Sequence, residues 1–186
     1  MRTAAEGRCE TIRNVDEHAA QHRKVVKARE NRAPGRVVRI DLGGGRCAYG
    51  RQLLGPSVEF YNRVGKTGEA VDLLDVVASP VAFTIWVMDY AFRRRGRWEL
   101  LDVVPLTDRE RAVVDRRAKQ DPISKALSIY QEDPVAGTFG ETPATAQECA
   151  GLEVAAVWDP EHVEDRLRDH FDGRPNIWVE SIRLET

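Results

Sequence analysis

Four histidines are the side chains in this sequence best suited to bind a metal ion or to move a proton near neutral pH. His18 and His22 are four positions apart, so on a helix they would share one face and could hold zinc. A zinc site needs further ligands, and no His-Glu-x-x-His pattern accompanies this pair. His162 and His170 are separated by about 12 Å along a helix, which is too far for one ion. The histidines therefore predict no metal site and no metal cofactor.

The cysteines offer no recognisable nucleophile. Cys9, Cys47 and Cys149 are odd in number and lack Cys-x-x-Cys spacing, and no Gly-x-Ser-x-Gly elbow occurs elsewhere. No apolar secretory segment follows Met1, so we expect free thiols in a reducing cytoplasm. Cys47 lies within a predicted strand, where a small buried thiol is the expected state. No catalytic residue is predicted.

Two short patterns resemble phosphate-binding loops without meeting their requirements. Residues 65–67 read Gly-Lys-Thr, the end of a P-loop, but the motif needs a glycine at the position of Phe60. Gly43, Gly45 and Ala48 fit Gly-x-Gly-x-x-Ala, yet that segment must open a helix and here opens an alternating strand. Neither pattern predicts a nucleotide cofactor.

Charge is unevenly distributed along a chain whose net charge is only −2. Residues 1–116 hold 21 Lys and Arg against 16 Asp and Glu, whereas residues 117–186 hold 7 against 14. The small net charge predicts no nucleic-acid partner, and the acidic C-terminal part could steer a basic protein. The longest apolar run, Val81 to Met88, is far shorter than the ~20 residues of a membrane helix. No membrane association is predicted.

The elements that must position these residues are mainly strands in the first half of the chain. Alternating runs at 37–42 and 46–54 flank Gly43-Gly44-Gly45, which predicts a hairpin because glycine reaches positive φ. Further strands are predicted at 58–61, at 81–88, where nearly every residue is apolar as in a strand buried on both faces, and at 97–101.

Helices and loops are predicted around and after these strands. A helical arm is expected over residues 1–34 and one α+β domain over 35–186. Within the domain we expect helices at 69–77, 108–117 and 159–171, strands at 152–158 and 176–184, and a long surface loop at 133–147. Residues 123–130 fit either a helical turn or a strand. The predicted fold is a strongly curved antiparallel β-sheet or half-barrel (SH3-like) of about six or seven strands with peripheral helices.

The order of these features resembles the immunity protein 26 family. The matching features are a strand entering a Gly-rich turn, Tyr49-Gly50-Arg51 leaving it, Pro80 before an apolar strand with Phe83, and Gly96-Arg97-Trp98 opening a further strand. The resemblance extends over about 35–184 and is best over 35–106. It implies an inhibitor, without a cofactor, that neutralises a cognate toxin domain of a bacterial polymorphic toxin system, encoded by a neighbouring gene.

Two other functions stay open. The same family grouping is associated with a small phosphotriesterase, so an organophosphate hydrolase is the enzymatic alternative, although such hydrolysis usually requires a metal-activated water. The second alternative is a generic SH3-like protein-binding module. The tryptophans fall at strand positions, where core packing is expected, with a binding groove lined by two of them as the alternative. Trp98 is predicted to face the core.

The helix predicted after Asp159 offers a candidate surface for a partner. Apolar residues at four-residue spacing should face inward: Val163, Leu167 and Phe171. Acidic residues should lie mostly on the exposed side: Glu161, Glu164, Asp165, Asp169 and Asp172. Asp169 and Asp172 lie near the negative end of the helix dipole, which disfavours carboxylates. Their presence there predicts a partner-binding surface formed by Asp165, Asp169 and Asp172.

Overall fold

The computed structural model describes residues 33–93, 97–133 and 135–185. Within these ranges the chain forms ten strands, five α-helices and one 3₁₀ helix, so the fold is of the mixed α and β class that the sequence predicts. The helical arm predicted over 1–34, with Cys9, His18 and His22, lies almost wholly outside the described residues. The single domain over 35–186 stays a prediction.

The elements have the following bounds. The strands are β1 Arg36–Gly43, β2 Arg46–Gln52, β3 Ser57–Tyr61, β4 Gly65–Lys66, β5 Val81–Val87, β6 Glu99–Val103, β7 Asp115–Gln120, β8 Leu127–Asp133, β9 Thr138–Pro143 and β10 Val157–Trp158. The α-helices are α1 Leu73–Val77, α2 Asp108–Arg111, α3 Ala146–Cys149, α4 Pro160–Phe171 and α5 Ile177–Ser181, and the 3₁₀ helix is Asp89–Phe92.

The strands form two sheets. The larger one has seven strands in the order β10-β5-β3-β2-β1-β6, with β4 paired to β2, and the smaller one has the order β7-β8-β9. All pairs are antiparallel except β10 with β5. The described strands do not close into a barrel, because β10 and β6 end the larger sheet. The larger sheet alone has the predicted number of strands. The strong curvature and the likeness to SH3 domains stay predictions.

The hairpin at the start of the larger sheet is confirmed. β1 and β2 pair antiparallel from Val37 opposite Arg51 to Gly43 opposite Arg46. Gly43, Gly44 and Gly45 have φ values of 81°, 63° and 77°, in the left-handed region that favours glycine. The three glycines thus allow the tight reversal between β1 and β2.

One face of the larger sheet carries the main core. Strands β1, β3 and β5 and helix α4 contribute its buried side chains, including Val163 and Leu167. Trp98 is 3% exposed and packs edge-on against Phe60 and Phe92, with ring centroids 5.9 Å and 5.7 Å away. The predictions that Trp98 faces the core and that α4 turns Val163 and Leu167 inward are confirmed. No helix among the described residues is long and apolar enough to cross a membrane.

The prediction that β5 is buried on both faces was wrong. Phe83, Ile85 and Val87 are buried in the core, whereas Thr84 and Trp86 on the other face are only partly buried. This second face meets the smaller sheet through polar contacts. A second core lies on this face near β1 and β2. It includes Cys47, which is a buried free thiol, as the sequence predicts.

Between β6 and β9 the sequence underestimated strand content. The helix predicted to reach Arg117 ends at Arg111, because residues 115–120 form β7. The ambiguous stretch becomes β8, and the loop predicted over 133–147 contains β9. The helix predicted over 69–77 begins only at Leu73, where the Asp72 carboxylate accepts a hydrogen bond from the Leu74 amide.

The C-terminal predictions were right for α4 and wrong on either side of it. Only Val157 and Trp158 of the predicted strand pair with β5. The predicted final strand is instead the short helix α5, because the Asn176 side chain accepts hydrogen bonds from the amides of Trp178 and Val179. This local capping outweighs the alternating pattern of the sequence.

Candidate functional site

A groove with a volume of ≈ 480 Å³ lies between the two sheets. Its walls come from β3 and β5 on one side and from β7 and residues 151–153 on the other. Four carboxylates belong to its lining: Glu59, Glu110, Asp115 and Glu153. Apolar residues lie between them: Leu53, Leu54, Phe83, Val113, Val114 and Leu152. Such a mixture of apolar walls and convergent polar groups is typical of a binding site.

Arg51 holds two of the four carboxylates. Its guanidinium is 3% exposed, and its Nε donates to Glu59 at 2.8 Å while Nη2 donates to Glu110. Burial opposes the charge, but Tyr61, Glu59 and Glu110 outweigh it and raise the pKa of Arg51. Tyr61 donates its hydroxyl proton to Glu59, and burial together with that bond raises the pKa of Tyr61. At neutral pH Arg51 is therefore charged, and Tyr61 keeps its hydroxyl proton.

Glu110 also fixes the start of α2. Its carboxylate accepts hydrogen bonds from the backbone amide of Thr107 at 2.7 Å and from the Thr107 hydroxyl at 2.8 Å, which completes a capping box. Burial would raise the pKa of Glu110, but these bonds and Arg51 lower it. The Glu110 carboxylate thus completes the capping box of α2 and, through Arg51, also ties α2 to β2.

Asp115 connects the two sheets at the floor of the groove. It accepts hydrogen bonds from the Trp86 indole at 2.7 Å and from the Ser57 hydroxyl. Arg117 pairs with it at 2.7 Å and also donates to the Thr84 carbonyl at 2.5 Å. These contacts hold β7 against the polar face of β3 and β5, so the smaller sheet has a fixed position.

Arg166 neutralises the remaining carboxylate. Its two terminal nitrogens donate to the two oxygens of Glu153 at 3.0 Å and 2.6 Å. Its Cζ lies 4.0 Å from the ring centroid of Phe83 and 5.0 Å from that of Trp158. Each of the four groove carboxylates therefore contacts an arginine of the chain.

The structure gives each of the three predicted partner-binding carboxylates an intramolecular contact. Asp165 accepts from Arg168 at 2.5 Å and from the Trp178 indole at 3.1 Å. Asp169 accepts from the Asn176 amide at 2.9 Å. Asp172 pairs with Arg46 at 2.9 Å. The three residues extend from the middle of α4 to its C-cap, and their role in partner binding stays a prediction.

Glu164 was wrongly expected on the exposed side of α4. It is buried, and it accepts hydrogen bonds from Arg97 at 2.6 Å and from the Trp98 indole at 3.2 Å. Arg168 contributes a third donor at 3.3 Å. Three donors compensate the buried charge, so Glu164 serves to attach the start of β6 to α4.

Two of the four histidines, His162 and His170, lie among the described residues. His162 stacks on Trp178 with centroids 3.6 Å apart, and His170 packs edge-on against Phe83 at 6.2 Å. Both act as packing residues. Across the described ranges no three His, Cys, Asp or Glu side chains are grouped so that they could hold a metal ion.

Sequence reasoning missed both the groove and an exposed aromatic residue, Phe139. The groove depends on pairing between residues far apart in sequence, which no local pattern reports. Phe139 lies in the stretch interpreted as a loop because it is rich in Pro, Gly and Thr. The usable signal was the residue types that favour strands, Thr138, Phe139 and Thr142, between Gly137 and Pro143.

Comparison with known proteins gives one match. The model of the family described as immunity protein 26 matches residues 33–127, which is just over half of the chain and spans β1 to β7. No curated protein and no solved structure matches. The matched segment contains the Gly-rich hairpin, Arg51, Glu110 and Asp115, and thus one complete wall and the floor of the groove.

Proposed function

This chain belongs to the immunity protein 26 family, and on that basis we propose that it binds and neutralises a cognate toxin of a bacterial polymorphic toxin system. The family match is the observation that carries the proposal. It covers Arg51, Glu59 and Glu110, so the Arg51 cluster of the groove lies inside the matched region. A binding role rather than a catalytic one follows from the family, and we expect the toxin domain to be encoded by a neighbouring gene.

The charge distribution supports a basic toxin surface. The C-terminal part, residues 117–186, holds 14 Asp and Glu against 7 Lys and Arg. An excess of one sign accelerates encounter with a partner of the opposite sign, and salt weakens that acceleration. We therefore expect fast, salt-sensitive association.

The acidic end of α4 is proposed to contribute to that attraction. Asp165, Asp169 and Asp172 keep part of their side chains exposed while they pair with neighbours in the chain. The attraction within an exposed ion pair is weak because water screens the two charges. The three carboxylates can thus attract a cationic partner without giving up their intramolecular contacts.

We place this activity in the cytoplasm. Cys47 and Cys149 are both free and buried, which fits a compartment that keeps thiols reduced. A toxin that acts inside a bacterium would have to be neutralised in the same compartment.

Co-expression tests the proposal. The toxin domain encoded by the neighbouring gene would be produced in bacteria with and without this chain, and a toxin domain from an unrelated system would serve as the control. We expect restored growth and a co-purifying complex only with the cognate domain. Absence of both, with the two proteins produced in folded form, would refute the proposed function.

A further inference from the structure

An exposed apolar strip lies at one end of the smaller sheet. It comprises Val113 and Val114 before β7, Val135 in the turn between β8 and β9, and Phe139 in β9. Phe139 is 78% exposed, Val135 68% and Val113 60%. Val and Phe are among the residues most often fully buried, and contiguous exposed apolar surface commonly marks an interaction site. We call these four residues the Phe139 strip.

Strand register and surface shape place the strip beside the groove. Asp115 is opposite Glu132, and Glu132 is opposite Phe139, so β7 and β9 present the strip from the same end of the sheet. Val114 and Phe139 line a shared hollow of ≈ 270 Å³. Val113 and Val114 also line the groove between the sheets. The strip and the groove therefore form one continuous surface.

Phe139 is held in position but not covered. Its ring stacks on Tyr130 with centroids 6.4 Å apart, and Tyr130 packs edge-on against Trp86 at 5.5 Å. Trp86 is fixed in turn by Asp115. An aromatic ring that is pre-positioned in this way loses little conformational freedom on binding, which is a property of interface hot spots.

One carboxylate lies beside Phe139 on the same face of the sheet. Glu132 is directly opposite Phe139, and it forms no ion pair with any described Lys or Arg. Asp133, the next residue, points to the other face and accepts hydrogen bonds from the amides of Val135 and Ala136, which shapes the turn. An exposed ring beside a carboxylate is complementary to an apolar side chain flanked by Lys or Arg.

We propose that the Phe139 strip is the surface through which this chain holds its toxin. The toxin presents an apolar side chain to Phe139 and a Lys or Arg to Glu132. This assignment rests on the proposed function, and it identifies the smaller sheet, rather than the end of α4, as the centre of the interface.

The test compares two exposed apolar residues of the same sheet. Phe139→Ser removes the centre of the strip. Ile123→Ser is the matched control, because Ile123 is 92% exposed in the turn between β7 and β8, at the far end of β8, about 20 Å away. Glu132→Lys reverses a rim charge. The probe is the toxin domain encoded by the neighbouring gene, and the affinity, the association rate and the thermal midpoint are measured for each intact variant.

Phe139→Ser should weaken toxin binding at least about thirtyfold, as loss of a hot spot does, while Ile123→Ser changes it less than about twofold. Glu132→Lys should slow association and reduce its dependence on salt. The thermal midpoints of the isolated Phe139→Ser and Ile123→Ser variants should equal that of the unaltered chain.

Three results would overturn the assignment. Unchanged affinity of Phe139→Ser would place the interface elsewhere. A fall in the thermal midpoint of isolated Phe139→Ser as large as that expected for a buried aromatic residue would mean that the chain itself covers the residue. A concentration-dependent dimer that Phe139→Ser abolishes in sedimentation would assign the strip to a second copy. If the unaltered chain binds and Phe139→Ser binds equally well, only the strip is excluded, whereas failure of the unaltered chain to bind removes the proposed function as well.

Discussion

The two sheets use their aromatic residues in opposite ways. The seven-stranded sheet buries Phe60, Phe92 and Trp98 against one another in its main core. The three-stranded sheet leaves Phe139 exposed and Tyr130 partly buried, and among the described residues its own core buries Ala118, Ile129 and Cys149. Aromatic burial in the larger sheet stabilises the fold, whereas aromatic exposure in the smaller one provides no such stability and fits recognition.

The difference is possible because polar contacts secure the smaller sheet. Asp115 and Arg117 bind groups of β3 and β5, and the bridge between Ala118 and Val154 protects the outer edge of β7. A sheet that is anchored by hydrogen bonds on one side can leave apolar residues exposed on another without losing its position. The comparison predicts that replacing a buried aromatic residue of the larger sheet changes stability, whereas replacing the exposed aromatic residue of the smaller sheet changes binding.

The largest effect on stability is expected for Trp98→Ala. Removing the ring leaves a cavity between Phe60 and Phe92 and removes one donor from the buried Glu164. The free energy of unfolding should fall by about 3–5 kcal/mol. Urea denaturation measures it, with Phe139→Ala as the matched aromatic control, which should change it by less than about 0.5 kcal/mol. Equal losses for the two variants would abolish the contrast between the sheets.

A smaller loss is expected for Asp115→Ala, which tests the anchor of the smaller sheet. The change removes the acceptor of Trp86 and Ser57 and leaves the buried Arg117 without its carboxylate. We expect a loss of about 2–3 kcal/mol, the scale of hydrogen bonds to charged groups. Hydrogen exchange of β7 amides should accelerate more than that of β1 amides. Uniform acceleration in both strands would show that Asp115 does not connect the sheets locally.

The pH dependence of stability should include a contribution from Glu110. Because hydrogen bonds from Thr107 and Arg51 lower its pKa in the folded chain, the carboxylate stabilises the fold above the ordinary glutamate pKa, about 4.3. That contribution is lost as the pH falls through the lowered folded value. Thermal midpoints of the unaltered chain and Glu110→Gln should therefore converge on acidification. A difference that stays constant from neutral to acidic pH would contradict this origin.

The smallest effect on stability is expected for the combined change of Asp165, Asp169 and Asp172 to Asn. Their ion pairs are at least partly exposed, and such pairs contribute little because solvent screens them. The thermal midpoint should hardly change, whereas association with the toxin domain should become slower and less dependent on salt. Unaltered association kinetics would remove these residues from the proposed interface.

Local patterns predicted the parts of the fold that local chemistry determines. The three glycines specified the first hairpin, Asp159 and Pro160 marked the start of α4, and Trp98 was correctly assigned to the core. The helix predicted over 108–117 was wrong in its last part. Residues 115–120 form a strand, in which Arg117 binds the Thr84 carbonyl of β5, far away in sequence.

The candidate site was less predictable than the fold because it depends on contacts between residues that are far apart in sequence. The groove consists of charges from β2, β3, α2, β7 and α4 that meet only after folding. The sequence offered the acidic face of α4, since a helix places its residues by local periodicity. It could not show that Asp165 and Asp169 bind Trp178 and Asn176, because those contacts depend on the helix α5 that Asn176 caps.

Hydrogen exchange of the intact chain with and without its toxin domain tests the central claim most directly. The amides of residues 113–117 and 131–141 should become protected in the complex, while those of β1, β3 and β5 exchange as in the free chain. Protection confined to residues 165–174 at the end of α4, with unchanged exchange in β8 and β9, would contradict the assignment of recognition to the smaller sheet.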